Sequence, residues 1–197
     1  KAQVYLTDPA DYSAFNATWV SHFGATGPAL SVIPCIKRGL APIDGNIEIN
    51  VVAIKPDGDS KKQQIEADVE MALHNQTQAV KAGDLLFLSA LMANDAQGLV
   101  RNAETDRHQP WFSSSPEAQA EFIVENAEKL CRAAGTTLDN VVRIQMFHTD
   151  ISEFFPVYKV WEHRLGGRPV PFSAVEVPTP LPVPAASVLM DIWVYAP

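Results

Sequence analysis

The sequence predicts an α+β protein in which one strand–helix motif occurs twice. The clearer copy runs from Asn140 to Gly167: a strand rich in β-branched residues, the capping pair Thr149-Asp150, and a helix that Gly166-Gly167 ends. The other copy, VYLTDPADYSAFNATWVSHFG, runs from Val4 to Gly24. A hairpin pattern at Ala79–Ala90 adds antiparallel strands, and together these motifs favour a mixed sheet with helices on one face.

The two copies align at a constant offset of 142 residues, which places Trp19 on Trp161 and Thr7-Asp8 on Thr149-Asp150. After one inserted residue the alignment continues into a later strand, where Glu48 falls on Asp191. Solenoid repeats recur every 20–50 residues or so. The longer period indicates a duplicated domain.

The offset also predicts how the chain divides into domains. We expect residues 1–58 to be the C-terminal half of a first domain and residues 59–197 to be a complete second domain, with the turn-rich segment Pro56–Ser60 between them. Position 1 corresponds to the interior of a strand, so we expect about 80 further residues upstream. The alternative is a half-domain that packs on the complete one and leaves a sheet edge exposed.

The remaining segments have the residue patterns of five further strands, one long loop and one helix. Ala93–Ser115 is long enough to be a binding loop. The next helix has Ser115 as N-cap and ends at Gly135. The predicted strands are Ala29–Ile36, Asn46–Lys55, Gln63–Ala72, Phe172–Val177 and Ser187–Ala196.

Composition excludes several classes of partner. The net charge is −8, the pI is near 5.0, and no basic cluster is longer than Lys61-Lys62, so neither nucleic acid nor an anionic membrane is an expected partner. No apolar run approaches the ~20 residues of a membrane span. Cys35 and Cys131 are predicted to be buried free thiols, which suits a reducing cytoplasm. The histidines show no metal-ligand spacing, and we expect neither a metal nor a cofactor.

Several segments together resemble the Rid (YjgF-like, reactive intermediate deaminase) family: AVKAGDLLFLSA, AAGTTLDNVVRIQMFHTD, the Trp161 helix and the SAVEV strand. The resemblance covers Val69 to Pro197 and, as the half of a second such domain, Lys1 to Lys55. It implies a chorismate-mutase-like fold, here duplicated. It also implies a homo-oligomer, a trimer-like ring of domains whose clefts between neighbours bind a small-molecule substrate.

The sequence departs from this family at the residue that anchors the substrate. In active members an arginine just before the SAVEV-type strand holds the substrate carboxylate. Phe172 and Leu30 stand at that position in the two copies. The carboxylate that activates water in the family matches Asp191 and Glu48, and the serine that ends the hairpin is present as Ser89.

These positions give the candidate site residues. Asp191 and Glu48 are the candidates for general acid/base catalysis, because a carboxylate at an apolar strand end can have a raised pKa; the alternative is an outward-facing carboxylate in water. The loop residues Arg107 and His108, or Arg168, could supply the missing cation, although loop charges are more often solvated. The candidate substrate-binding residues are Ser89, Phe87, Phe172, Trp193, Arg168, Arg107, His108 and Leu30.

Two functions remain open from the sequence. The first is hydrolytic deamination of a small enamine or imine, a conjugated aminomuconate-type acid being one candidate. The second is a non-catalytic module that binds a small molecule or a partner, which the absence of the arginine from both copies favours. A ribonuclease, also attached to the family, disagrees with the acidic charge.

Overall fold

A computed structural model describes residues 1–41, 44–55, 57–73, 76–105, 108, 110–111, 114–169 and 171–197. Pro56, which begins the predicted boundary segment, and the candidate Arg107 lie outside the described residues. The strands fall into a three-stranded sheet, a six-stranded sheet and a short two-stranded ribbon. We call residues 1–55 the first unit and residues 62–197 the second unit.

The first unit is a three-stranded sheet with one helix. Its elements are β1 (Ala2–Leu6), α1 (Tyr12–Phe23), β2 (Leu30–Pro34) and β3 (Ile47–Val51). The strand order is β2-β1-β3, with β1 parallel to β2 and antiparallel to β3. Asp8 begins the turn that leads into α1, since its Oδ1 accepts a hydrogen bond from the backbone N–H of Ala10 at 2.8 Å.

The second unit is a six-stranded sheet with both of its α-helices on one face. The strand order is β10-β9-β11-β6-β5-β4. Apolar residues of α2, α3 and one sheet face share a single core. The elements are β4 (Lys62–Ile65), β5 (Ala79–Ala82), β6 (Leu85–Leu88), β7 (Asn94–Asp95), β8 (Gly98–Leu99), α2 (Ser115–Ala133), β9 (Val141–His148), α3 (Phe154–Arg164), β10 (Phe172–Glu176) and β11 (Val188–Tyr195). The predicted mixed sheet with two helices on one face is confirmed for this unit.

The same three-strand arrangement occurs in both units. In β10-β9-β11, as in β2-β1-β3, the central strand is parallel to one neighbour and antiparallel to the other. Ala2 lies opposite Leu30, and Ile144 lies opposite Phe172, which preserves the offset of 142.

The register of the third strand in this arrangement differs from the one that the sequence alignment predicts. Gln145 lies opposite Asp191, but Gln3 lies opposite Asn50 rather than Glu48. The alignment of Glu48 with Asp191 is therefore displaced by two residues from the strand register. Glu48 nevertheless lies on the same face of the sheet as Asn50, the residue equivalent to Asp191, because side chains alternate between faces with a period of 2.

The two sheets pack through the faces that carry no helix. Tyr5 and Ile33 of the first unit share an apolar cluster with Phe147 and Leu189 of the second. Beside this cluster, the Nε2 of Gln3 donates to the Oε1 of Gln145 at 2.5 Å. The first unit thus covers the sheet face that the second unit's own helices leave open.

Several predicted boundaries are wrong in detail. The strand expected at Gln63–Ala72 ends at Ile65, because the side chain of Gln78 bonds the backbone of Ala67 and Val69 and so replaces ladder bonds. The α2 N-cap is Ser114 rather than Ser115. The expected long loop contains the β7–β8 ribbon. Of the thiols, Cys131 is buried, whereas Cys35 follows the end of β2 and is partly exposed.

Candidate functional site

The candidate carboxylate Asp191 forms a buried ion pair with Lys1 between the two units. Asp191 lies within β11 on the face without helices, and its side chain is fully buried. The Nζ of Lys1, just before β1, lies 2.6 Å from Asp191 Oδ2. The carboxylate is therefore at a unit boundary, as the resemblance implies, but it faces a cation from the other unit.

Hydrogen bonds engage all three donors of the ammonium and both oxygens of the carboxylate. The Lys1 ammonium also donates to Ser31 Oγ and to the Leu88 carbonyl oxygen, each at 2.7 Å, which uses all three of its donors. Asp191 Oδ2 accepts from the Ser31 hydroxyl at 2.5 Å, and Oδ1 accepts from Trp193 Nε1 at 2.8 Å. We call Lys1, Ser31, Asp191 and Trp193 the boundary network.

The boundary network holds Asp191 as a carboxylate. Burial alone would raise its pKa, but the charge of Lys1 and the hydrogen bonds from Lys1 and Ser31 lower the pKa below the ordinary 3.8. Burial also lowers the pKa of the Lys1 ammonium, and the charge of Asp191 opposes that effect. The prediction of a raised pKa for Asp191 is wrong, because its burial comes with a cation that the sequence alignment did not place there.

Trp193 donates a hydrogen bond to the carboxylate, and its ring contacts Arg143 and Phe87. The Arg143 guanidinium carbon lies 4.5 Å from the centroid of the Trp193 ring, a cation–π arrangement. Phe87 meets the indole edge-on, with ring centroids 4.9 Å apart. These contacts fix the indole N–H that donates to Asp191.

Leu30 and Ser89 meet next to the boundary network. The backbone N–H of Leu30 donates to Ser89 Oγ at 2.8 Å, and the Leu30 carbonyl accepts from Gln76 Nε2 at 2.6 Å and from the Ala90 N–H at 3.0 Å. The Ser89 hydroxyl donates in turn to the carbonyl of Thr77. Both residues are buried, so this position joins the units through the backbone.

Glu48 has different partners. It lies opposite Tyr5 on β3. Its Oε2 accepts from the backbone N–H of Ala41 at 3.0 Å, and its Oε1 accepts from Asn50 Nδ2 at 3.3 Å. These contacts join β3 to Ala41, which lies beyond the end of β2.

The other candidates lie on the surface of the second unit. Phe172 is partly exposed and packs against Phe154 and Tyr158, with ring centroids 5.5 and 5.1 Å away. Arg168 donates to the Leu165 carbonyl and pairs with Asp139 in an exposed salt bridge. His108 is exposed, and Arg107 lies outside the described residues.

Three cavities stand out in the described part of the chain, and Asp191 lines none of them. The largest, about 960 Å³, lies between α1 and β3 and includes Phe87 in its wall. An apolar cavity of about 400 Å³ lies between β2 and the proline-rich segment near Leu181. A more polar one of about 350 Å³ is lined by Gln76 and its neighbours.

The sequence reasoning missed Lys1 and Ser31. A signal for Lys1 was present, because Lys1, Gln3 and Tyr5 alternate with the apolar residues Ala2 and Val4 and so share the face of β1 without a helix. Among the described residues, no set of three His, Cys, Asp or Glu side chains could hold a metal ion. No described helix has the length and apolar character needed to cross a membrane.

Comparison with known protein families adds an independent observation. The family model described as Endoribonuclease L-PSP matches residues 67–196. The RutC family protein y4sK of Sinorhizobium fredii is 32% identical over 95 residues, which cover 48% of this chain and 67% of that protein. The RutC family protein YjgH of Escherichia coli is 30% identical over 108 residues, covering 54% and 73% respectively.

Solved structures show the same fold. RidA from an Antarctic Psychrobacter is 28% identical, with a TM-score of 0.56, and the match covers 68% of this chain and 98% of that one. A Thermotoga maritima protein described as a putative endoribonuclease is 22% identical, with a TM-score of 0.55, over 68% of this chain and 96% of that one. At 22% identity, the second likeness concerns the fold alone.

Proposed function

The chain belongs to the Rid/endoribonuclease L-PSP family, and from this premise we propose that it is a non-catalytic member in which the candidate catalytic carboxylate joins two units. The module would bind a partner or a small molecule instead of turning over an imine. It would carry out this role in the cytoplasm.

The observation that carries the proposal is that Asp191 is fully buried and that both of its oxygens accept hydrogen bonds. A general base must lie within hydrogen-bond reach of the water or group whose proton it takes. Both oxygens of Asp191 already accept hydrogen bonds from Lys1, Ser31 and Trp193, and the side chain has no exposed surface. An attacking water would have to enter a site that is closed to solvent in this structure.

The residues at the expected arginine positions support the same reading. The apolar side chain of Leu30 offers no cation for a substrate carboxylate. Leu30 is also buried, and its backbone is bonded to the second unit. Phe172 is packed among aromatic side chains on the surface. A member that lacks a bidentate anion anchor in both copies loses the usual means of holding its substrate.

Ammonia release tests the proposal directly. Imines generated in solution from several amino acids are offered to the wild-type chain and, in parallel, to an active deaminase of the family. We expect ammonia release at the uncatalysed rate from the wild type and the same rate from Asp191→Asn. Acceleration by the wild type that Asp191→Asn abolishes would refute the proposal.

A deaminase is the second candidate, favoured by the position of Asp191 and Ser89 together at the unit boundary. Its substrate would displace Lys1 from Asp191, and Arg168 would assist in binding an anion. Asp191→Asn would then abolish turnover, while Arg168→Ala, which removes an exposed cation paired with Asp139, would weaken anion binding by less than about 1 kcal/mol. Loss of turnover in Glu48→Gln instead would assign the reaction to the first unit.

For assembly, the proposal is a duplicated domain within a trimer-like ring of such units. Two observations support it. Gln3 and Gln145, which are equivalent under the offset of 142, contact each other, and equivalent residues meet near an axis that relates their units. The contact of Leu30 with Ala90 joins unlike surfaces, and heterologous contacts close into rings when the rotation between units closes. Light scattering that gives a monomer at micromolar concentration would count against the ring.

A further inference from the structure

The apolar cavity of about 400 Å³ lies between the two units, and no residue of the boundary network lines it. The end of β1, the start of α1 and β2 form its wall on the first unit. The segment between β4 and β5 and the proline-rich segment form its wall on the second unit. The side chains that line it include Tyr12, Asn16, Val32, Leu73 and Leu181. Pro180 and Pro184 also line it and are exposed, so the cavity reaches the protein surface.

Three prolines give the second unit's wall a fixed shape. Leu181 and Val183 are buried in the apolar cluster that joins the units, at 2% and 4% exposure. Three cavity-lining residues alternate with these two along the chain: Pro180, Pro182 and Pro184. The proline ring fixes φ at about −65°, so this wall loses little conformational entropy when a ligand binds. The wall is therefore preorganised for a ligand.

The lining excludes a charged ligand. Among the described residues that line the cavity, none carries a formal charge, and only Tyr12 and Asn16 have polar side chains. A carboxylate or an ammonium group that entered the cavity would lose its hydration and gain no counter-ion. The ligand that fits this lining is a neutral molecule, unlike the carboxylate substrate that the family resemblance implies.

Tyr12 and Asn16 can bind one polar group of such a ligand. They lie four residues apart in α1 and therefore share one face of the helix. Neither side chain has a hydrogen-bond partner among the described residues. Burial raises the pKa of Tyr12 above its ordinary value of 10.0, so its hydroxyl stays protonated and can donate. The Asn16 amide can donate or accept. The pair therefore matches a ligand hydroxyl, which also donates and accepts.

The volume of the cavity sets the size of the ligand. A dry apolar cavity of about 150 Å³ binds benzene, so about 400 Å³ accommodates two fused rings. We propose that the cavity binds a neutral bicyclic aromatic molecule that carries one hydroxyl group. This ligand class deepens the binding role proposed above and rests on it, because a non-catalytic module needs no anchor for a substrate anion.

Three related ligands test the chemical class: 2-naphthol, naphthalene and ionised 2-naphthoate. Each is titrated at pH 7 while the methyl resonances of the protein are followed by NMR. Naphthalene lacks the hydroxyl and should bind about 3- to 10-fold more weakly than 2-naphthol. Ionised 2-naphthoate should bind at least about 100-fold more weakly. Tyr12→Phe should reduce the preference for 2-naphthol over naphthalene. Binding of 2-naphthoate as tight as that of 2-naphthol would overturn the proposal.

Intermolecular NOEs locate the bound ligand without any substitution. The ring protons of 2-naphthol should show NOEs to the methyl groups of Leu73 and Leu181, which line the cavity. They should show none to the methyl groups of Ile49 and Val51, which line the larger apolar cavity between α1 and β3. The reverse pattern would place the ligand in the larger cavity and would overturn the proposal.

Two tryptophan substitutions in α1 provide a matched pair. Asn16→Trp fills the proposed cavity and should abolish binding of 2-naphthol. Ala14→Trp, on the same helix, fills part of the larger cavity and should leave the affinity unchanged. Loss of binding in Ala14→Trp, with binding retained in Asn16→Trp, would contradict the assigned site.

Ammonia release, measured alongside, separates this ligand class from the proposed function. Catalysed release by the wild type would refute the proposed function. Uncatalysed release, together with no detectable binding of 2-naphthol, would overturn the ligand class alone. Uncatalysed release with binding at Leu73 and Leu181 is the expected result.

Discussion

Replacing Lys1 with methionine tests whether the boundary network holds the two units together. Lys1→Met keeps most of the side-chain volume but removes the ammonium that contacts Asp191, Ser31 and the Leu88 carbonyl at 2.6 to 2.7 Å. Asp191 is left buried without its ion-pair partner, and the Leu88 carbonyl loses a charged donor. Breaking a buried pair from one side costs about 3–5 kcal/mol of unfolding free energy, and we expect a loss in that range at pH 7.

The dependence of this loss on pH follows from the pKa of Asp191. In the wild type its pKa is lowered in the folded state, so its stabilising contribution is present above the ordinary value of 3.8 and is lost as the pH falls through the lowered pKa. Without Lys1, burial raises the folded pKa instead. The folded variant then favours the protonated acid, so the difference from wild type should be largest at pH 7 and should shrink towards pH 4.

Urea unfolding followed by tryptophan fluorescence at both pH values measures the effect. The exposed pair of Arg168 with Asp139 is the matched control, and Arg168→Met should cost less than about 1 kcal/mol. The double variant Lys1→Met with Asp191→Leu should recover much of the stability, because no charge is left buried. A Lys1→Met loss as small as the control, and independent of pH, would refute the account of the network.

Three further outcomes are expected. Trp161→Ala should lower the free energy of unfolding in urea by about 3–5 kcal/mol, because Trp161 lies in the core and is only 2% exposed. Trp111 is 92% exposed, so Trp111→Ala should change it by no more than about 0.5 kcal/mol. Similar losses in the two variants would contradict the assigned core. Burial raises the pKa of Cys131 to about 12, so at pH 8 a disulfide reagent should label Cys35 in the folded protein and Cys131 only after unfolding. Labelling of both thiols at the same rate in the folded protein would contradict this assignment. Gln78→Leu removes the hydrogen bonds to the backbone of Ala67 and Val69, so proteolysis near these two residues should become faster. Mass spectrometry of the fragments measures the cleavage. An unchanged cleavage rate would show that other contacts hold this segment in place.

Local patterns in the sequence were sufficient for the fold of the second unit. The hairpin at Ala79–Leu88, the helix that begins near Ser115 and the capping role of Asp150 depend on neighbours within a few residues, and the structure confirms them. The strand expected at Gln63–Ala72 failed because Gln78, several residues further on, binds its backbone. Such a contact leaves no periodic signal.

The candidate site was harder to predict because it joins distant segments. Asp191 and Ser89 were identified from the resemblance, but Lys1 lies 190 residues from Asp191 in the chain and reverses the expected direction of its pKa shift. The equivalence of Glu48 with Asp191 depended on one inserted residue, whereas the strand register places Asn50 at that position. The register of β3 is set by its pairing with β1, and an alignment of the two copies contains no information about that pairing.

The carboxyl carbon resonance of Asp191, titrated by NMR with selectively labelled aspartate and assigned through Asp191→Asn, tests the central claim most directly. If the boundary network occupies the carboxylate, the resonance should report an ionised group from pH 7 down to pH 4, with a pKa below 3.8, and it should not shift when imine-forming amino acids and their unsaturated acid products are added. A resonance that titrates above 3.8, or that shifts on addition of those compounds, would show an accessible carboxylate and contradict the claim.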